Sequence, residues 1–221
     1  MSKKVKNALV IGASGLVGKA LLEELSALES CQKIRVFVRS YQTEFEAYDK
    51  VEQKVLADFL TIQPSDVSDF SHAFSCLGTT QKQAGSKEKF FAIDYGLNAH
   101  FIDLLKNTDT HFVLISATGA NANSLFFYNR VKGQLEDYLQ QANLNTVSVL
   151  RPSLLLGDRQ GQRALEEWSQ QIFNRVSPYL PQYFSFKPVT ARQVAHTMVS
   201  VAGLQTEKFK IYDNLQILKT T

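Results

Sequence analysis

The chain of 221 residues has only two cysteines, Cys31 and Cys76, without metal-ligand spacing between them. A disulfide framework and a cysteine zinc site are excluded. Proline (5) and glycine (11) are sparse, which excludes collagen-like and low-complexity disordered chains. No apolar run approaches the roughly 20 residues of a membrane helix, so no span is expected. Neither charge dominates: 24 Lys and Arg against 21 Asp and Glu leave +3, too little for a surface that wraps nucleic acid. The four histidines, at 72, 100, 111 and 196, are scattered without a second ligand at metal spacing, and no metal is expected. After the basic start Met1–Lys6, the run Ala8-Leu9-Val10-Ile11 is shorter than the roughly 7–15-residue core of a secretory signal. Together these features predict a soluble, cytoplasmic protein.

With 44% hydrophobic and 11% aromatic residues there is ample material for a core, and the length suits one domain over residues 1–221. Ala8–Ile11 is a continuous apolar run ending at glycine, the form of a strand buried on both faces of a parallel sheet. Leu16, Val17, Ala20, Leu21, Leu25 and Leu28 then recur at helical spacing. Further strands are predicted at 34–38, 51–57, 73–77, 111–115 and 146–150, and further helices at 90–105 and 126–141. This alternation predicts an α/β fold, a Rossmann-type doubly wound parallel sheet with ligands at the carboxyl ends of its strands. The core occupies about residues 1–150. From Arg151 the rhythm changes, and prolines at 152, 178, 181 and 188 punctuate helical patterns near 164–176 and 191–201 before a short strand at 209–212. Residues 151–221 are read as a small C-terminal elaboration on the substrate side.

Gly12-Ala13-Ser14-Gly15-Leu16-Val17-Gly18 lies between the first strand and the first helix. There, Gly12 permits a tight turn, Gly15 lets backbone approach a pyrophosphate, and Gly18 lets the helix pack closely. Ser14, Leu16 and Val17 belong to the same phosphate-facing turn. A P-loop is excluded, because Ala13 stands where that motif has its first glycine and Ala20, not Ser or Thr, follows Lys19. The end of the second strand, where NAD enzymes carry an acid, holds Arg39 and then Ser40. A guanidinium there suits a 2′-phosphate and predicts NADP(H), the alternative being a solvated surface arginine. Asp58-Phe59 and Leu77-Gly78-Thr79 follow the third and fourth strands, where adenine and ribose would pass.

Tyr128 and Lys132 form Y-x-x-x-K, and the i, i+4 spacing puts both on one helix face. A nearby ammonium stabilises a phenolate, so the pair suits proton transfer. Ser116, ending the fifth strand, is placed to hydrogen-bond a carbonyl. Cys76 reads as a packing residue in preference to a nucleophile. Phe126, Phe127, Trp168, Phe173, Tyr179, Tyr183, Phe184 and Phe186 suit either a nicotinamide pocket or ordinary core.

Over nearly its whole length the chain resembles the short-chain dehydrogenase/reductase superfamily, in its atypical branch of Tat-interactive-protein-like oxidoreductases. The resemblance rests on the glycine turn at 12–18, Cys76-Leu77-Gly78-Thr79-Thr80 with Ala84-Gly85, Tyr128-x-x-x-Lys132-Gly133, and Arg151-Pro152 leading through Leu154-Leu155 to Asp158-Arg159-Gln160 and Arg163. It implies that Tyr128 donates the proton and Ser116 orients the carbonyl. It also implies that Lys132 holds the nicotinamide ribose, Arg39 and Ser40 meet the 2′-phosphate, and Leu155 and Arg163 complete the cofactor pocket. The asparagine of many such sites has only Asn98 as its counterpart. Two functions follow: an NADPH-dependent reductase of a small-molecule carbonyl, or an NADP(H)-binding module that regulates a protein partner with little turnover. Retention of Ser116, Tyr128 and Lys132 favours the first.

Overall fold

The structure, a computed structural model, describes residues 4–156 and 187–220. Seven strands form one parallel sheet: β1 (Asn7–Ile11), β2 (Lys33–Val38), β3 (Val51–Val55), β4 (His72–Ser75), β5 (His111–Ile115), β6 (Thr146–Leu150) and β9 (Phe209–Tyr212). Their order is β3-β2-β1-β4-β5-β6-β9. A separate two-stranded pairing joins β7 (Leu155–Leu156) to β8 (Val189–Thr190). The helices are α1 (Leu16–Ala27), α2 (Pro64–Val67), α3 (Gln81–Ala84), α4 (Lys87–Phe91), α5 (Asn98–Leu104), α6 (Phe127–Gln141), α7 (Ala191–Leu204) and α8 (Asn214–Lys219).

The doubly wound prediction holds because the central strands are apolar on both faces and need a layer of helices on each. On one face Leu21, Leu22 and Leu25 of α1 pack with Val194, Ala195 and Met198 of α7. On the other, Phe101 and Ile102 of α5 and Leu135 and Leu139 of α6 cover Phe112 and Leu114 of β5. Each fully buried side chain of this size contributes about 1.5–3 kcal/mol. The strand order reverses between β1 and β4, opening a crevice at their carboxyl ends.

Three local readings change. Strand β4 ends at Ser75, not at residue 77, so Cys76 to Thr79 leave the sheet as a turn although Cys76 N–H still donates to Ile11 O at 2.9 Å. The helix predicted at 90–105 starts at Lys87 and passes through a π-helical turn, Ala92–Leu97, between α4 and α5. Residues 189–219 do more than elaborate: β9 pairs with β6 as the seventh strand, and α7 lies against α1. Sequence periodicity placed β9 correctly but could not show that its partner is β6, because pairing is decided by packing. The helix predicted near 164–176 lies outside the described residues.

Candidate dinucleotide site

The glycine turn sits in the β1/β4 crevice. Gly12 has φ +76°, and a Cβ there would stand 2.5 Å from the carbonyl carbon of Cys76, so the tight turn needs glycine for both conformation and space. A Cβ at Gly18 would collide with Gly12 O and the Ala13 backbone, which explains how closely α1 approaches the turn. Gly15 is different. Its φ is ordinary, and an added Cβ would meet only Gly12 O, at 3.3 Å. Gly15 is also the N-cap of α1, and no side chain caps that helix. The first-turn N–H groups and the positive end of the dipole thus face the crevice free of a side-chain acceptor, which suits a phosphate. Ser14 is exposed, Leu16 half-buried, and Val17 buried in the core.

Arg39 and Ser40 are exposed just past β2, and no carboxylate among the described residues pairs with Arg39. Lys19, in the first turn of α1, is engaged by Glu44 at 2.9 Å. Asp58 caps the short 3-10 turn Phe59–Thr61 by accepting from Leu60 N–H at 2.9 Å, and the ring of Phe59 is in the core. Leu155 is half-buried in β7. Arg163 lies outside the described residues, as do Asp158-Arg159-Gln160 and the aromatic positions 168–186.

The turn after β4 meets α6 through charge. Lys132 is 4% exposed, and its Nζ lies 2.7 Å from Oδ1 of Asp94, which is fully buried in the π turn. The other oxygen, Oδ2, accepts from Thr79 N–H at 2.8 Å. A Cβ at Gly78 would stand 3.2 Å from Asp94 Oδ1 and 3.5 Å from Lys132 Nζ, so glycine keeps room for the pair. Burial pulls the lysine's pKa down, but the Asp94 carboxylate, with smaller contributions from Tyr128 and Glu136, holds it above the ordinary lysine value.

Tyr128, one turn earlier on the same face, is 40% exposed, and its ring packs on Phe90 with centroids 5.8 Å apart. Ser116 is buried and donates its hydroxyl hydrogen to Glu136 Oε1. Glu136 is held in turn by Arg151 Nε at 3.1 Å from both oxygens. No hydrogen bond joins Ser116, Tyr128 and Lys132 to one another among the described residues. A polar pocket of about 330 Å³ opens beside Glu136, Asp137 and Arg151 and includes neither Tyr128 nor the glycine turn. Asn98 does not meet Lys132. It accepts from Ser75 Oγ and donates to the carbonyls of Asp94 and Leu77, bracing the backbone around the pair. Burial pushes the Cys76 thiol strongly up, in keeping with a packing role.

Sequence reasoning missed Asp94, Glu136 and Arg151 as partners of the site. Asp94 lies within the π turn Ala92–Leu97, outside the regular helical period on which the sequence reading relied.

The parallel sheet, its switch point and the glycine turn define a Rossmann-like fold. The family model described as HIM1 matches residues 27–190, and the chain belongs to that family. It is 33% identical over 211 residues to "Protein FMP52-1, mitochondrial" of Scheffersomyces stipitis, covering 91% of this chain and 90% of the relative. It is 32% identical over 207 residues to "Protein HTATIP2" of Rattus norvegicus, covering 91% of this chain and 85% of the relative. The resemblance to the Tat-interactive-protein-like branch is thereby borne out. The fold is similar to that of UDP-glucuronic acid 4-epimerase from Bacillus cereus, solved in complex with NAD, with TM-score 0.70, 12% identity, and coverage of 94% of this chain and 78% of that one.

The expectation of a cytoplasmic protein is corrected by these relatives. FMP52 proteins of Scheffersomyces stipitis, Debaryomyces hansenii and Candida glabrata are all named mitochondrial. The sequence reading weighed only a secretory signal, and a mitochondrial address is a different, amphipathic one.

Proposed function

We propose that the protein is an NADPH-dependent reductase of a carbonyl in a small molecule. The observation that carries this reading is the placement of an uncapped helix N-terminus and its glycine turn in the same crevice as the buried Lys132 beside exposed Tyr128. The residues fit a nicotinamide dinucleotide: Gly15 leaves space at the helix end, and Arg39 offers past β2 a guanidinium that no carboxylate among the described residues pairs. Gly12 to Gly18 would hold the pyrophosphate, Arg39 and Ser40 the 2′-phosphate, and Leu77 to Thr79 the adjoining ribose. Lys132 would hold the nicotinamide ribose.

When bound, the reduced nicotinamide supplies a hydride. Tyr128 Oη then gives the proton to the carbonyl oxygen, and the Lys132 ammonium stabilises the charge left on the phenol oxygen. Ser116 can orient that oxygen only by turning its hydroxyl away from Glu136. That engagement favours a second reading, an NADP(H)-binding module that acts on a protein partner with little turnover. A screen of aldehydes, ketones and quinones with NADPH, followed by nicotinamide absorbance, tests the reductase directly; no consumption with any of them supports the module.

The cofactor has its own tests. Gly15→Val places a branched side chain where backbone must approach phosphate, and calorimetry should show weaker NADPH binding by a protein that still folds. Unchanged affinity removes the pyrophosphate assignment. Wild type should prefer NADPH to NADH, and Arg39→Ala should lose about 1.5–3 kcal/mol of NADPH binding with little change for NADH. Equal losses for both cofactors make Arg39 a structural residue.

A further inference from the structure

We propose that Asp94 is a positioning residue of this site, tying the Lys132 ammonium to the turn after β4 so that its charge stays at the dinucleotide crevice. The inference rests on the dinucleotide-binding reading. A lysine stem has four rotatable carbons, and without a partner its ammonium would seek water. Here one carboxylate grips two elements: Oδ1 faces Nζ of α6 at 2.7 Å, and Oδ2 takes the Thr79 N–H at 2.8 Å.

Two features keep that grip in place. Asn98 donates to the Asp94 carbonyl at 3.0 Å and fixes the π turn, and Gly78 leaves the space the pair occupies. At 2.7 Å the Oδ1–Nζ contact combines charge attraction with hydrogen-bond distance, and both hold the ammonium. A buried ion pair is a poor way to stabilise a fold, since apolar residues of similar volume do as well or better. Its position at the crevice, where it fixes a cation, accounts for it better. The charged and titratable groups that act on Lys132 are Asp94 from the π turn, and Tyr128 and Glu136 from its own helix.

The test uses the cofactor-free full chain first. The Lys132 side-chain carbon signal, assigned by comparison with Lys132→Met, should titrate above an ordinary lysine in wild type and at distinctly lower pH in Asp94→Asn, where burial is no longer outweighed by a carboxylate. NADPH affinity of Asp94→Asn, by calorimetry, should fall roughly tenfold or more. The double variant Asp94→Asn/Lys132→Met should bind no worse than Lys132→Met alone, because both changes remove one interaction. An unchanged Lys132 titration, or losses that simply add, overturns the proposal. If Asp94→Asn does not fold, Gly78→Ala crowds the pair from outside and must shift the Lys132 signal and weaken NADPH binding; no change in either overturns it. A wild type that binds no dinucleotide overturns the parent reading and this role with it, while the titration separately reports whether Asp94 holds the lysine.

Discussion

Tyr128→Phe should lower turnover by about 10²–10⁴-fold, the range expected of a lost general acid, while NADPH affinity stays within a few-fold. The substitution removes one hydroxyl and keeps the ring that packs on Phe90, so the fold around it is preserved. Tyr128 is also the exposed member of the pair, and Lys132 is buried, so a substrate can reach the phenol without displacing the ammonium. Steady-state kinetics on any substrate found in the screen, beside calorimetry with NADPH, separates chemistry from binding. Turnover at the wild-type rate would mean that the proton comes from elsewhere. A regulatory module, in contrast, would show the same cofactor affinity in both proteins and no turnover in either.

Lys132→Met should destabilise the fold by about 3–5 kcal/mol, because it leaves the fully buried Asp94 carboxylate without its counter-charge. Adding Asp94→Asn should recover most of that loss, since the amide is neutral and can still accept from Thr79 N–H. The pH dependence follows from the raised pKa of Lys132 in the folded protein. A raised lysine contributes stability that is fully present below its unfolded value and disappears as pH rises through the folded value. Wild type should thus lose stability on the alkaline side more steeply than the double variant, and the two should run parallel near neutrality. Urea unfolding at a series of alkaline pH values decides this. Equal stability of wild type and Lys132→Met would show that the pair contributes nothing to the fold.

How much of this was legible in the chain depended on the range of the interaction. The run Ala8–Ile11 and the glycines behind it gave β1, the turn and α1, because each is set by neighbours a few residues apart. Gly12 and Gly18 could be assigned a tight turn and a close approach from their place between strand and helix, and the structure supplies the atoms they avoid, the Cys76 backbone and Gly12 O. Tyr128 and Lys132 could be put on one face by their spacing. What spacing could not give was the lysine's partner. Asn98 entered only through the resemblance, as the counterpart of an asparagine common in such sites; in the structure Asp94 of the π turn at Ala92–Leu97 meets the ammonium, and Asn98 braces the backbone beside it.

The sequence by itself determined the alternation of strands and helices, the glycine turn between β1 and α1, and the placing of Tyr128 and Lys132 on one helix face, all products of local periodicity and steric demand. Only the tertiary structure decided that β9 completes the sheet beside β6, that Ser116 turns to Glu136, and that Asp94 holds Lys132. The physical reason is the same in each case: a strand edge, a buried hydroxyl and a buried charge must each be satisfied, and the group that satisfies them is whichever one packing brings within reach.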